Sequence, residues 1–169
     1  MPESKLKIET LVDAVILVLI AAFLLTYFEP GLLFLKTTIN GGDTGSHYPA
    51  AVYLKEILLP QCKISGWDPG NYAGYPLFYH YFPLPFLWSV FLSIFFPLQI
   101  AFKLATVTGI FMLPFCAYFS FRALKYDFPI PVFGAIFTLP FLFNEGNSMW
   151  GGNVSSTLAG EFCYGTGLA

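Results

Sequence analysis

An all-α, polytopic membrane fold is what this sequence predicts, with about four transmembrane helices and a large first loop outside the cytoplasm. Three observations carry that expectation. Hydrophobic residues make up 56% of the 169 and charged residues only 11%, where a soluble domain carries roughly 25% charged residues. No charged residue occurs from Leu77 to Phe102, and none from Leu104 to Phe121. The segment from Leu32 to Tyr75 is of another kind: it is rich in glycine and carries Asp43, Glu56 and Asp68, so it cannot lie in lipid with its backbone unpaired. Twenty phenylalanines and ten tyrosines are more apolar surface than one water-facing core of this size hides, which excludes a soluble single-domain enzyme. A net charge of -2 offers no basic field for nucleic acid, so membrane lipids are the expected partners. Cys62, Cys116 and Cys163 are too far apart to read as a disulfide framework or a zinc site.

The first span is Leu11 to Phe28, apolar except for Asp13. Its roughly 18 residues, at ~1.5 Å each, cross about 27 Å. Lys5 and Lys7 precede it and no small-x-small cleavage site follows, so it reads as an uncleaved anchor in the plasma (inner) membrane with a cytoplasmic N-terminus. Within the loop, Pro49 to Leu59 puts Ala51, Leu54, Ile57 and Leu58 on one helical face opposite Glu56, which suits a short amphipathic helix on the membrane surface that Pro60 ends. The two charge-free runs predict spans two and three. Pro97 and Lys103 mark a tight cytoplasmic turn near Phe96 to Ile100, with the lysine at the inner headgroups. Phe128 to Asn144, broken by Pro129, Pro131 and Pro140, is a short, kinked fourth span. Simple alternation then puts Arg122 and Lys125 outside, against the positive-inside tendency, and the tail from Glu145 onward in the cytoplasm. A re-entrant fourth segment or a different hairpin would return that tail to the outer face. The whole chain reads as one membrane domain, the N-terminal piece of a longer protein.

Three clusters carry polar chemistry. In Asn40-Gly-Gly-Asp-Thr-Gly-Ser-His47, glycines let the backbone approach a ligand while Asp43 is presented as base or metal ligand; equally, Asp43 is a turn residue that caps the next helix. Asp43 and His47 share a helical face only if that helix starts this early. In Gly66 to Phe82, aromatics interleave with Asp68, Asn71 and His80, either as the interfacial belt of any membrane protein or as the wall of a cleft for a sugar or lipid-linked group. In Asn144 to Phe162, Glu161 stands near the head of a further apolar stretch, as a substrate or cation contact or as a helix-start carboxylate. Asn153-Val-Ser155 satisfies the glycosylation sequon but falls at membrane depth.

Gly42-Asp43-Thr-Gly-Ser-His47, Gly66-Trp-Asp-Pro-Gly-Asn-Tyr-Ala-Gly-Tyr-Pro76 and Leu158-Ala-Gly-Glu-Phe162 together resemble a prokaryotic family of multi-pass proteins known as "6-pyruvoyl-tetrahydropterin synthase-related domain, membrane protein". The name implies no pterin chemistry here, since that soluble enzyme needs a three-histidine zinc site and the chain holds only His47 and His80. More distantly, one span, a loop with an early acidic residue and a surface helix are similar to the start of GT-C type glycosyltransferases. That resemblance implies a polyprenyl-phosphate-linked sugar as substrate and Asp43 as catalytic base or, alternatively, as ligand of a divalent metal ion cofactor. Many such enzymes carry two acidic residues close together in the loop; here Asp43 has no acidic neighbour before Glu56, which leaves Asp68 or Glu161 as its partner. His47, Asp68, Asn71, His80 and Glu161 are the expected substrate contacts, with Lys55 or Arg122 holding the lipid phosphate. The alternative is a non-catalytic protein that binds or moves a lipid-linked glycan in the same cleft.

Overall fold

The computed structural model describes residues 3–70, 72–146 and 151–169, with side chains from Lys7 onward. The chain is mostly helical. Helix α1 (Glu3–Tyr27) and α5 (Leu98–Ala123) are the two helices long and apolar enough to cross a membrane, at roughly 38 and 39 Å for ~1.5 Å per residue. They are antiparallel. Tyr118 Oη, near the end of α5, donates to Asp13 Oδ2 near the start of α1 at 2.7 Å, while Phe28 just beyond α1 meets Phe111 at a ring distance of 5.8 Å.

Two expected spans fall short of a bilayer. Helix α4 (Leu84–Leu92) and α6 (Ile130–Leu142) hold 9 and 13 residues, about 14 and 20 Å against a ~30 Å hydrocarbon core. Proline placement sets these limits: Pro83 precedes α4, Pro97 stands at the N-cap of α5, and Pro129 precedes α6. Absence of charge was therefore a poor guide to helix length between Leu77 and Phe102. Nor does Lys103 lie at the end away from the first loop. Its Nζ donates to Leu32 O (2.8 Å), Leu35 O (2.7 Å) and Thr37 Oγ1 (3.0 Å), gathering the carbonyls beyond α1 and α2 (Pro30–Leu33). The start of α5 thus lies at the same end of the molecule as the first loop. Arg122 and Lys125 fall at the opposite end, the end of Lys7, because α5 ends beside the start of α1. Helix α6 returns from there: Gly134 lies against Phe121, and Phe143 packs on Phe23 and Tyr27 at 5.4 and 4.9 Å. This arrangement removes the charge conflict that simple alternation creates.

The loop end has structure of its own. Helix α3 (Thr44–Tyr53) starts five residues before the expected Pro49 and runs on through a π turn (Leu54–Leu58) into a 3-10 turn (Leu59–Gln61). Pro60 has no N–H to give Glu56, and Leu59 N–H instead reaches Leu54 O, five residues back. That wider turn shifts the register. Leu54 and Leu58 stay buried while Ile57 is 42% exposed. The apolar face meets protein rather than lipid, since Ala50, Ala51, Leu54 and Leu58 pack in one core with Leu77, Phe78, Phe86, Phe102 and Phe162. A small antiparallel hairpin, β1 (Gly66–Asp68) and β2 (Tyr75–Leu77), departs from the all-α expectation. Gly74, at φ +92, sits where a Cβ would meet Trp67 Nε1 and Asp68 O at 2.6 Å, so the turn closes only on glycine. The tail forms α7 (Val154–Ser156), a π turn (Thr157–Glu161) and α8 (Phe162–Leu168). Helix α8 crosses α5 at Gly109, where a Cβ would lie 2.4 Å from Gly165 C.

Candidate functional site

The first loop and the tail meet through their backbones. Asp43 N–H donates to Ala159 O at 2.7 Å and Thr44 Oγ1 to Leu158 O at 2.8 Å. A Cβ on Gly42 (φ +48) would stand 2.2 Å from Ala159 O, and one on Gly160 (φ +125) would stand 2.9 Å from Asp43 Cβ. The glycines on both sides are thus a matched pair of close approaches. Asp43 and Glu161 are brought to one end of the molecule, as a shared site requires and as simple alternation of four spans forbids.

Both carboxylates occupy helix-start positions, Asp43 before α3 and Glu161 before α8, and neither side chain makes the capping bond. The turn-and-cap reading of each therefore accounts for its backbone and not for its carboxylate. Asp43 O accepts from Ser46 and His47 N–H, so α3 does start early enough to put His47 one turn above Asp43. His47 stacks on Tyr81 at a ring distance of 5.4 Å and meets Phe86 and Phe162 edge-on at 5.8 and 5.5 Å. Burial among these rings holds its pKa below the ordinary 6.5, against the opposing pull of the Asp43 charge and a bond to the Gly160 backbone. Tyr81 is the meeting point. Its hydroxyl lies 3.4 Å from His47 Nε2, and its pKa is raised by burial first, then by the Cys163 thiol and the charges of Asp43 and Glu161. It stays a phenol at neutral pH, able to donate to a neutral imidazole. Burial likewise pushes the Cys163 thiol up to about 11, so it is no nucleophile.

Three cavities adjoin this group. The first, about 650 Å³, is walled by Phe82, Leu84, Pro85, Tyr164 and Leu168 and reaches Tyr81 and Glu161. Glu161 Oε2 points across it toward Gly151, where a Cβ would be 3.0 Å away. The second, about 390 Å³, holds His47 and His80 and shares Tyr81 with the first. The third, about 650 Å³, holds Glu56 and Asp68 and shares Ser46 and Tyr75 with the second. An apolar chamber is thus followed by two with more polar groups.

Other expected residues divide plainly. Asn71 and the stretch 147–150 lie outside the described residues. His80 lines the second cavity together with His47 and Tyr81, while Asp68 lines the third. Arg122 is excluded as a phosphate holder for this site, since it sits at the far end of α5. Among the described residues, no group of three or more His, Cys, Asp and Glu is placed to hold a metal ion. The sequon asparagine, Asn153, is buried, with Oδ1 capping α7 through Ser156 N–H and Nδ2 donating to Asn144 O. Tyr81 went unnamed in the sequence reading because nothing distinguishes it from Tyr79 beside it until the fold turns it onto His47.

Residues 78–168 match the family described as "6-pyruvoyl-tetrahydropterin synthase related domain; membrane protein". The chain belongs to this family. The match to the 6-pyruvoyl-tetrahydropterin synthase related domain covers α4, α5, α6 and the turn that carries Glu161. Of the three motifs read for the resemblance, only Leu158 to Phe162 falls inside it. A family of membrane proteins and two helices of crossing length agree on a membrane setting. No curated protein matches the chain. No solved structure matches it.

Proposed function

We propose that this protein is a glycosyltransferase-like membrane protein of GT-C type, acting on a polyprenyl-phosphate-linked sugar at the outer face of the plasma membrane, with its N-terminus in the cytoplasm. One observation carries the reading: two carboxylates that cap nothing are gathered around the Tyr81–His47 pair beside an apolar chamber of about 650 Å³. An isoprenoid chain suits the apolar chamber, and the sugar would extend toward His47 and His80. Asp43 takes the proton of an acceptor hydroxyl as that oxygen bonds to the anomeric carbon. The bond from that carbon to the phosphate oxygen breaks, and its electron pair leaves on the polyprenyl phosphate. Glu161, His47, His80, Asp68 and Asn71 are the proposed substrate contacts.

A second reading, binding or movement of a lipid-linked glycan without bond making, is favoured by one fact. None of the described residues lining the three cavities is a lysine or an arginine that could face a leaving phosphate. Asp43→Asn in full-length protein reconstituted in nanodiscs separates the two. Loss of glycosyl transfer with unchanged affinity for the lipid-linked sugar supports the enzyme. Transfer that survives the substitution removes Asp43 as base, and lipid-linked sugar that binds equally well after Glu161→Gln and Leu84→Trp removes the chamber as its site.

A further inference from the structure

Among the described residues that line the third cavity, Asp68 is also a proposed sugar contact, while Asp43 is not one of them. One wall is a stripe of α3 and its π turn carrying Tyr48, Tyr53 and Glu56; the other is the hairpin, where Asp68 and Tyr75 are register partners across the strands. Both walls are fixed. Tyr53 Oη donates to Trp67 O at 2.9 Å, tying helix to hairpin, and Gly70 N–H donates to Asp68 Oδ1 at 2.8 Å, which orients the carboxylate. The space, about 650 Å³, is within the usual range of roughly 300–1,000 Å³ for small-molecule sites.

The charged side chains that line this cavity are both acidic. No lysine, arginine or histidine is among the described residues that line the cavity, and Lys63, beyond the helix, donates to Gln61 Oε1 at 3.2 Å. The two carboxylates act on the rings beside them: Glu56 on Tyr48 and Asp68 on Tyr75, each phenol being raised by burial first and by that charge second. Carboxylates and the negative faces of tyrosine rings both repel anions and attract cations. A bare metal ion would ask for more oxygen ligands than two separated carboxylates, whereas a large, weakly hydrated organic cation gains from rings and charges together.

We propose that this cavity binds an organic ammonium group, a protonated amine or a quaternary ammonium, of the kind carried by an amino sugar or an aminated lipid headgroup. The test uses choline as probe, titrated calorimetrically into the full chain in nanodiscs, with 3,3-dimethylbutan-1-ol as its uncharged counterpart. Choline binds saturably, and the alcohol binds at least tenfold more weakly. Glu56→Gln and Asp68→Asn each weaken choline roughly tenfold, while Asp43→Asn leaves it unchanged, so this site and the Asp43 chemistry stand or fall separately. Competition by glucosamine identifies the amino sugar as source; weaker choline binding in phosphatidylethanolamine than in phosphatidylglycerol nanodiscs identifies the headgroup. Equal binding of choline and the alcohol by the unaltered protein, or no saturable choline binding, overturns the proposal. So does tight binding of an uncharged disaccharide that is indifferent to both charge substitutions.

Discussion

The two ends of the helical body are joined by different physics. At the end of Lys7 and Arg122, α1 and α5 share a polar contact, Tyr118 Oη on Asp13 Oδ2, and Asp13 Oδ1 is buried with no hydrogen-bond partner among the described residues. At the loop end, the first loop and the tail are locked by backbone, with Asp43 N–H on Ala159 O and glycines where any Cβ would collide. A side-chain bond between helices tolerates small movements of either helix. A backbone contact with no room for a methyl group does not, and that is the contact that positions Asp43 and Glu161. The end that carries the candidate chemistry is thus the end whose geometry is held most tightly.

The largest way to break this contrast is Gly42→Ala. Its Cβ would meet Ala159 O at 2.2 Å, at φ +48, so overpacking and left-handed strain together cost roughly 3 kcal/mol. A lowered melting temperature in detergent, with proteolysis appearing in residues 38–47 and loss of lipid-linked sugar binding, is the expected result. Tyr118→Phe at the other end removes one interhelical hydrogen bond, about 1 kcal/mol on the scale measured for such bonds in membranes. Melting should fall by less, with binding at the loop end unmoved.

The smallest effect is in pH. Because burial lowers the pKa of His47 from 6.5, the unfolded chain takes up the proton more readily than the folded one. The stability His47 contributes is complete above pH 6.5 and is lost as pH falls through its lower folded value. His47→Phe keeps a ring against Tyr81, Phe86 and Phe162 and should flatten the melting temperature profile between pH 7 and pH 5.

How much of this was legible in the sequence varies with the signal. The first apolar helix and the polar loop after it were readable because hydropathy and glycine content change sharply at Phe28 and Tyr75. The second span, between Leu77 and Phe102, was misread because lack of charge does not distinguish a buried helix from one that crosses lipid, and α4 is a short helix packed on α3 and α5. Lys103 was placed at the wrong end for the same reason: a lysine between apolar runs signals headgroups unless backbone carbonyls collect around it, and that requires the distant Leu32 and Leu35. Asp43 and Glu161 were singled out by composition, but their meeting depends on Gly42 against Ala159, a contact between residues more than a hundred positions apart. Tyr81 and the Tyr48–Glu56–Asp68–Tyr75 cavity had no local signal, since one comes from ring stacking and the other from a π turn that Pro60 imposes.

Sidedness tests the central claim most directly. With Cys62, Cys116 and Cys163 replaced by serine or alanine, single Ser65→Cys, Gly146→Cys and Lys125→Cys variants are labelled with an impermeant maleimide in intact cells and again after lysis. The first loop and the tail share one face, so Ser65→Cys and Gly146→Cys label together in intact cells while Lys125→Cys labels only after lysis. Labelling of Gly146→Cys with Lys125→Cys, apart from Ser65→Cys, would contradict the account, because Asp43 and Glu161 would then face opposite sides of the membrane.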